Sequence, residues 1–170
     1  MSEVCKKLYP HQDQESLMKF YGNPIGRNGQ VSASWYKENI VFYQPAYPIL
    51  FSVNGQRLTK FAVHKKCLKS FEKAFGNVAK LWTPEQIEKT RVNICGGVYS
   101  YRVERGGSKL STHSWGIAID MDPARNPFPS HWREGMLNHE FADILEKHGI
   151  WWRGSPGDND PMHFQCAWRR

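Results

Sequence analysis

Ser111-Thr112-His113-Ser114-Trp115-Gly116-Ile117-Ala118-Ile119-Asp120 is the stretch around which this chain is read. The apolar run Ile117-Ala118-Ile119 predicts a buried strand that carries Asp120. His113 and Asp120 are seven residues apart, and on one unbroken strand an odd offset points two side chains to opposite faces. Gly116 removes that obstacle, because glycine permits a bend or bulge between them. His113 is therefore expected on a loop and Asp120 within the strand.

A second stretch, Asp160-Pro161-Met162-His163-Phe164-Gln165, complements the first. Pro161 suits the first residue of a strand, which places Asp160 in the turn feeding a strand from Met162 to Trp168. The two stretches together offer two histidines and an aspartate, plus a spare carboxylate. Three N/O ligands with one position left open is the composition of a catalytic zinc site. A carboxylate beside the open position can take a proton from water there.

The pattern Ser-x-His-x-x-Gly-x-Ala-x-Asp, followed by Asp-x-Met-His-Phe-Gln, resembles the zinc D-alanyl-D-alanine carboxypeptidase and L-alanyl-D-glutamate endopeptidase family, which includes phage peptidoglycan endolysins. The run His148-Gly149-Ile150-Trp151-Trp152-Arg153-Gly154 is similar to the family's His-Gly-x-x-Trp-Gly-Gly, with Arg153 where a glycine is usual. A weaker likeness starts near Tyr47 and includes Val63-His64-Lys65-Lys66. The resemblance implies an α+β fold, a small antiparallel sheet with flanking helices, hedgehog/D-Ala-D-Ala-peptidase-like. It implies one zinc ion held by His113, Asp120 and His163, with Asp160 as general base. It further implies that Arg102 or Arg105 steadies the oxyanion and that Ser111 lies near the substrate. Trp152 is read as core or as cleft lining that touches substrate, Trp151 as core. The implied substrates are peptidoglycan stem peptides, first of all at the L-alanyl-D-glutamate bond. The alternatives are a D-Ala-D-Ala carboxypeptidase or dipeptidase and, in another class, a non-catalytic zinc-containing wall-binding module.

The 170 residues suffice for one domain with a sizeable core. The expectation is a single peptidase domain over 1–170, with residues 1–45 an extension packed on it, and a monomer. No apolar run approaches a membrane span. The first residues, Met1 to Lys7, lack the apolar core of a signal peptide. The expected location is therefore cytoplasmic at synthesis, with action on the cell wall after release, as in phage-infected cells. The net charge of +7 favours polyanions, but the lysines and arginines are scattered and no nucleic-acid motif occurs. No nucleic-acid partner is expected. Cys5, Cys67, Cys95 and Cys166 form no Cys-x-x-Cys pair and are expected as reduced, buried thiols, with Cys166 facing away from His163.

Other elements follow from local chemistry. Asn54-Gly55 between Ile49-Leu50-Phe51 and Leu58 to Val63 predicts a hairpin. A helix is expected from His64 to Phe75, stopped by Gly76, with His64 a capping histidine at its start. Thr83-Pro84-Glu85-Gln86 predicts a second helix start. Val92 to Arg102 reads as strand with a break at Gly96-Gly97, and Asn138 to His148 as a helix ended by Gly149. His148, at the negative end of that helix, is expected to be partly charged. Asp122 either shares the face of Asp120 or, because Pro123 ends the strand, serves as a loop cap or solvent contact. Val31 to Tyr43 holds a candidate strand at Ile40-Val41-Phe42-Tyr43.

Overall fold

Ile117, Ala118, Ile119 and Met121 form a run that needs apolar cover on both faces, and the fold supplies it: all four are fully buried. The computed structural model describes residues 3–169. Along the chain come α1 (Glu3–Leu8), α2 (Gln14–Tyr21), α3 (Ala33–Asn39), β1 (Ile40–Tyr43), β2 (Ile49–Phe51), β3 (Arg57–Leu58), β4 (Phe61–His64) and α4 (Leu68–Leu81). Then follow α5 (Pro84–Thr90), β5 (Ile94–Gly97), β6 (Ala118–Met121), α6 (His139–Glu146), β7 (Trp151–Trp152) and β8 (His163–Gln165). Short 3₁₀ turns occupy Arg27–Gly29 and Thr112–Trp115. The class is α+β, as expected. No helix among the described residues is long and apolar enough to cross a membrane.

The main sheet has six strands in the order β3-β2-β5-β6-β8-β7, and β1 pairs with β4 in a separate two-stranded sheet. The sheet is antiparallel except that β2 and β5 run parallel. A small antiparallel sheet was the expectation, and every strand pair but this one fits it. The exception has a simple cause: the link from β2 to β5 passes through β3, β4, α4 and α5, and a connection that long lets a strand return in the same direction. On the core side, Phe71 and Phe75 of α4 stack at 6.0 Å, Phe75 meets Phe141 of α6 edge-on, and Phe141 meets Phe164 of β8 at 5.7 Å. This chain of rings joins α4 and α6 to the strand that carries His163.

The hairpin at Asn54-Gly55 is present, but the second arm differs. β3 ends at Leu58, and Phe61 to His64 leaves as β4 to pair with β1, where Phe61 packs on Tyr43. Gly76 does not stop α4, which runs on to Leu81. A glycine inside a helix costs about 1 kcal/mol relative to alanine. Burial of Phe71, Phe75 and Val78 on one face outweighs it, at roughly 1.5–3 kcal/mol for each large apolar side chain. Thr83 caps α5 in a reciprocal capping box with Gln86, and Asn138 caps α6 by accepting from the amides of Glu140 and Phe141.

The N-terminal segment holds three helices where only a strand at Ile40 to Tyr43 was legible. Val31 to Asn39 is not strand, because Ser32 caps a helix by accepting from the amide of Trp35. The Tyr21 hydroxyl donates to the Cys166 carbonyl at 2.5 Å, Tyr9 and Ser70 share a 2.6 Å hydrogen bond, and Gln12 donates its amide to the Trp168 carbonyl at 2.8 Å. All four cysteines are free and buried.

Candidate metal centre and its cleft

Local sequence sets each donor. The Ser111 hydroxyl caps the turn Thr112–Trp115, which holds His113, and Gly116 ends the turn with φ 67°. That left-handed conformation suits glycine. The site is also crowded: a Cβ on Gly116 would lie 3.1 Å from the His64 amide nitrogen and 3.1 Å from Ile40 Cδ1. The turn redirects the chain into β6, where Asp120 is the cross-strand partner of His163 on β8. Directly opposed residues point to the same face, so the two side chains meet. On the other side of Asp120, a Cβ on Gly96 would come within 3.3 Å of the Asp120 Cβ and 2.9 Å of Pro123 Cγ. The glycine break in β5 thus admits a close neighbour, as its composition predicts.

His113, Asp120 and His163 converge, each with one donor atom within 4.8 Å of the others. His113 Nε2 is 3.3 Å from His163 Nδ1 and 3.3 Å from Asp120 Oδ2, and His163 Nδ1 is 2.9 Å from Asp120 Oδ1. Ligand bonds of 2.0–2.1 Å in a tetrahedral zinc site give ligand-to-ligand edges of about 3.3–3.4 Å. The set is close to that size.

The outer nitrogen of each imidazole also has a partner. His113 Nδ1 donates to the Val98 carbonyl at 2.5 Å. His163 Nε2 donates to Gln165 Oε1 at 3.0 Å. The Gln165 amide is itself oriented, because its NH₂ donates to Gln12 Oε1 and to the Ala167 carbonyl. With the outward nitrogens protonated and the rings neutral, the inward nitrogens would turn lone pairs toward one another across 3.3 Å, beside a carboxylate. That arrangement calls for a cation between them, so the residues fit a metal.

The electrostatics agree. Burial pushes the Asp120 carboxyl up, but the two histidines outweigh it and hold the group well below the usual carboxylate range. Burial pushes His163 down, and the Asp120 hydrogen bond and charge outweigh that too, so its affinity for positive charge is raised. Asp160 moves the other way: burial raises its carboxyl, with His163 opposing and Asp120 adding to the rise. Its Oδ1 is buried with no hydrogen-bond partner among the described residues. The Asp160 backbone is fixed by its amide donating to the Arg153 carbonyl and its carbonyl accepting from the His163 amide.

A cleft of about 280 Å³ opens over this cluster, and Arg102, Arg105, Ser111 and Asp160 all line it. Both candidate arginines therefore face the cleft. Trp152, expected as core or as cleft lining, does not line it. It is 3% exposed, stacks on Phe164, and donates its indole N–H to the Pro161 carbonyl at 2.8 Å. A pair of tryptophans on a short edge strand can face either way, and here the apolar core takes both. Asp122 is neither on the Asp120 face nor a solvent contact. It is 2% exposed and accepts two 2.8 Å hydrogen bonds from the Arg91 guanidinium. For His148 the shift runs against the expected partial charge: burial and the nearby Lys73 and Lys147 lower its pKa, and it meets Asn77 at 2.8 Å. His64 is fully buried and structural, with Nε2 on the Tyr21 carbonyl and Nδ1 on the Lys66 amide.

Sequence reasoning missed several cleft residues. Gln12 comes from the N-terminal segment, and Gln165 ends the second motif. Arg153 was visible as a departure from the family's glycine, and the structure shows its side chain lining the cleft beside Asp160.

No curated protein and no solved structure matches the chain significantly. The family comparison does give a result, and it supports a peptidase. Residues 105–166, the segment that supplies His113, Asp120, Asp160 and His163, match the family model described as D-alanyl-D-alanine carboxypeptidase, which is the resemblance that the two motifs carry.

Proposed function

We propose that this protein is a zinc-dependent peptidoglycan peptidase that hydrolyses stem-peptide amide bonds, first of all the L-alanyl-D-glutamate bond. The observation that carries the reading is the convergence of His113 Nε2, His163 Nδ1 and the Asp120 carboxylate, with the outward nitrogens held by Val98 and Gln165. His113 Nε2, His163 Nδ1 and Asp120 would hold the ion. Bound there, zinc supplies Lewis acidity toward the amide carbonyl and acidifies water at the open position.

The remaining chemistry falls to the chain's own side chains. Asp160, buried and with one oxygen unpartnered, is poised to accept a proton from the attacking water and return it to the leaving amine. Arg102 or Arg105, at the wall of the cleft, offers positive charge to the oxygen that becomes anionic. Ser111 lines the same wall and orients the peptide. The working unit in this reading is one domain of 170 residues, a monomer, with residues 1–45 packed on the peptidase core. Contacts such as Gln12 to Gln165 support that organisation, since they tie the N-terminal segment to the histidine relay.

A carboxypeptidase or dipeptidase acting on D-Ala-D-Ala is the second reading, favoured by the description of the matched family. Digestion of purified sacculi, with and without a chelator, followed by fragment masses, separates the two. Release of whole stem peptides supports the endopeptidase. Loss of a single terminal alanine supports the carboxypeptidase. Intact muropeptides after digestion with zinc-loaded protein would overturn both.

A further inference from the structure

Arg153 departs from the resembled pattern, and the proposed chemistry above makes no use of it. Its position is nevertheless exact in the sheet register. Asp120 on β6 pairs with His163 on β8, and the Arg153 amide donates to the His163 carbonyl at 2.8 Å, one residue beyond β7. Asp120, His163 and Arg153 thus form one row across three adjacent chain segments. Opposed residues share a face, which aims the arginine into the same cleft as the two ligand candidates.

The guanidinium is held there. Arg153 Nη2 pairs with Asp158 Oδ1 at 2.8 Å, and the Arg153 side chain is only 14% exposed. Asp158 is 7% exposed and also receives Arg169 Nη1 at 3.3 Å. One carboxylate therefore faces two guanidinium groups. Arg153 Nε is buried and has no hydrogen-bond partner among the described residues. A guanidinium carries five donors in a rigid plane, and burying one of them unused is costly unless a ligand meets it. The natural match for such a fork is a carboxylate.

We propose that Arg153, held by Asp158, is the specificity-determining residue of this cleft and receives a free carboxylate of the stem peptide. The proposal rests on the peptidase reading for the identity of the peptide. Two carboxylates of a stem peptide meet the requirement: the α-carboxylate of the D-glutamyl residue and the C-terminal carboxylate. In either case the carboxamide form of the same peptide is a poor ligand, because an amide NH₂ would oppose the guanidinium donors.

The test uses three synthetic pentapeptides: L-alanyl-γ-D-glutamyl-L-lysyl-D-alanyl-D-alanine, its α-amidated glutamyl form and its C-terminally amidated form. Calorimetric binding to the chelator-treated full chain reads Arg153 without hydrolysis. The expected result is a loss of about 10- to 100-fold in affinity on one of the two amidations, which also locates the carboxylate. In Arg153→Gln the ratio between parent and amidated peptide falls toward one. Arg153→Lys, which keeps the charge without the planar fork, retains part of the preference. Equal affinity of the wild-type chain for all three peptides overturns the proposal, as does a preference that survives in both variants. A merely structural clip between Arg153 and Asp158 would shift melting temperature and leave the ratio unchanged. Parallel digestion by the zinc-loaded protein keeps the two readings apart. Selective binding without hydrolysis sinks the peptidase reading and leaves Arg153 as a carboxylate receptor, whereas hydrolysis without selectivity does the reverse.

Discussion

Asp120 and His163 are directly opposed on β6 and β8, and their side chains meet at 2.9 Å. A backbone register therefore places two of the three candidate ligands, and the turn before Gly116 brings the third. Replacing His113 by alanine removes one inward lone pair. The expected outcome is loss of both bound zinc and wall hydrolysis, read by metal analysis of the purified variant and by sacculus digestion.

In the proposed metal centre Gln165 would act on the ion through His163. Its Oε1 holds the imidazole Nε2–H and so turns Nδ1 toward Asp120 and His113. Gln165→Leu is expected to weaken zinc binding by about 10- to 100-fold while leaving the three ligand side chains in place. Competition with a chromophoric chelator measures this. Unchanged affinity would remove the relay from the account.

Asp160 is the candidate base rather than a ligand. Asp160→Ala should retain stoichiometric zinc and lose about 10²–10⁴-fold in turnover. Metal analysis together with rates on a stem peptide checks both halves of the statement. Lysis at the wild-type rate would take the proton transfer away from this residue.

His64 gives a pH dependence unrelated to the cleft. Burial pushes its pKa from 6.5 down to about 4, with the Tyr21 hydrogen bond opposing and Lys66 and Lys65 adding to the fall. Above pH 6.5 the ring is neutral both folded and unfolded. Between 6.5 and 4 the unfolded chain binds the extra proton and the folded one does not, so stability falls as pH falls through that window. The loss approaches about 3 kcal/mol, at 1.36 kcal/mol per pH unit. Urea melts across pH 4 to 7 should show this slope, and His64→Gln should flatten it.

Gly116→Ala tests the turn. A β-carbon there must hold φ 67° and press on the His64 amide and Ile40. The expected destabilisation is about 1–3 kcal/mol, which corresponds to a drop in melting temperature of roughly 2–4 °C per kcal/mol for a chain of this size. Calorimetry on the purified variant decides it.

Much of this site was legible because its chemistry is local. The type and order of His113, Gly116, Asp120, Asp160 and His163 could be read directly, as could the caps at Thr83 and Asn138. What misled were features whose outcome depends on distant partners. Gly76 stops a helix in isolation, yet α4 continues because Phe75 and Val78 find cover on both sides of it. Trp152 could have faced substrate, but Phe164 and the Pro161 carbonyl took it into the core. Asp122 could have been solvated, but the left-handed turn at Arg91 brought a guanidinium to it.

Residue identity along the chain settled which donors were on offer, since an imidazole or a carboxylate keeps its chemistry wherever it is placed. Only the folded arrangement decided which nitrogen of each histidine faces inward, because the Val98 carbonyl comes from another segment and the Gln165 amide is oriented by Gln12. It likewise put Arg153 in the cleft, through strand register and a buried salt bridge to Asp158. Hydrogen bonds and ion pairs act over a few ångströms of space, and separation along the chain does not encode that distance.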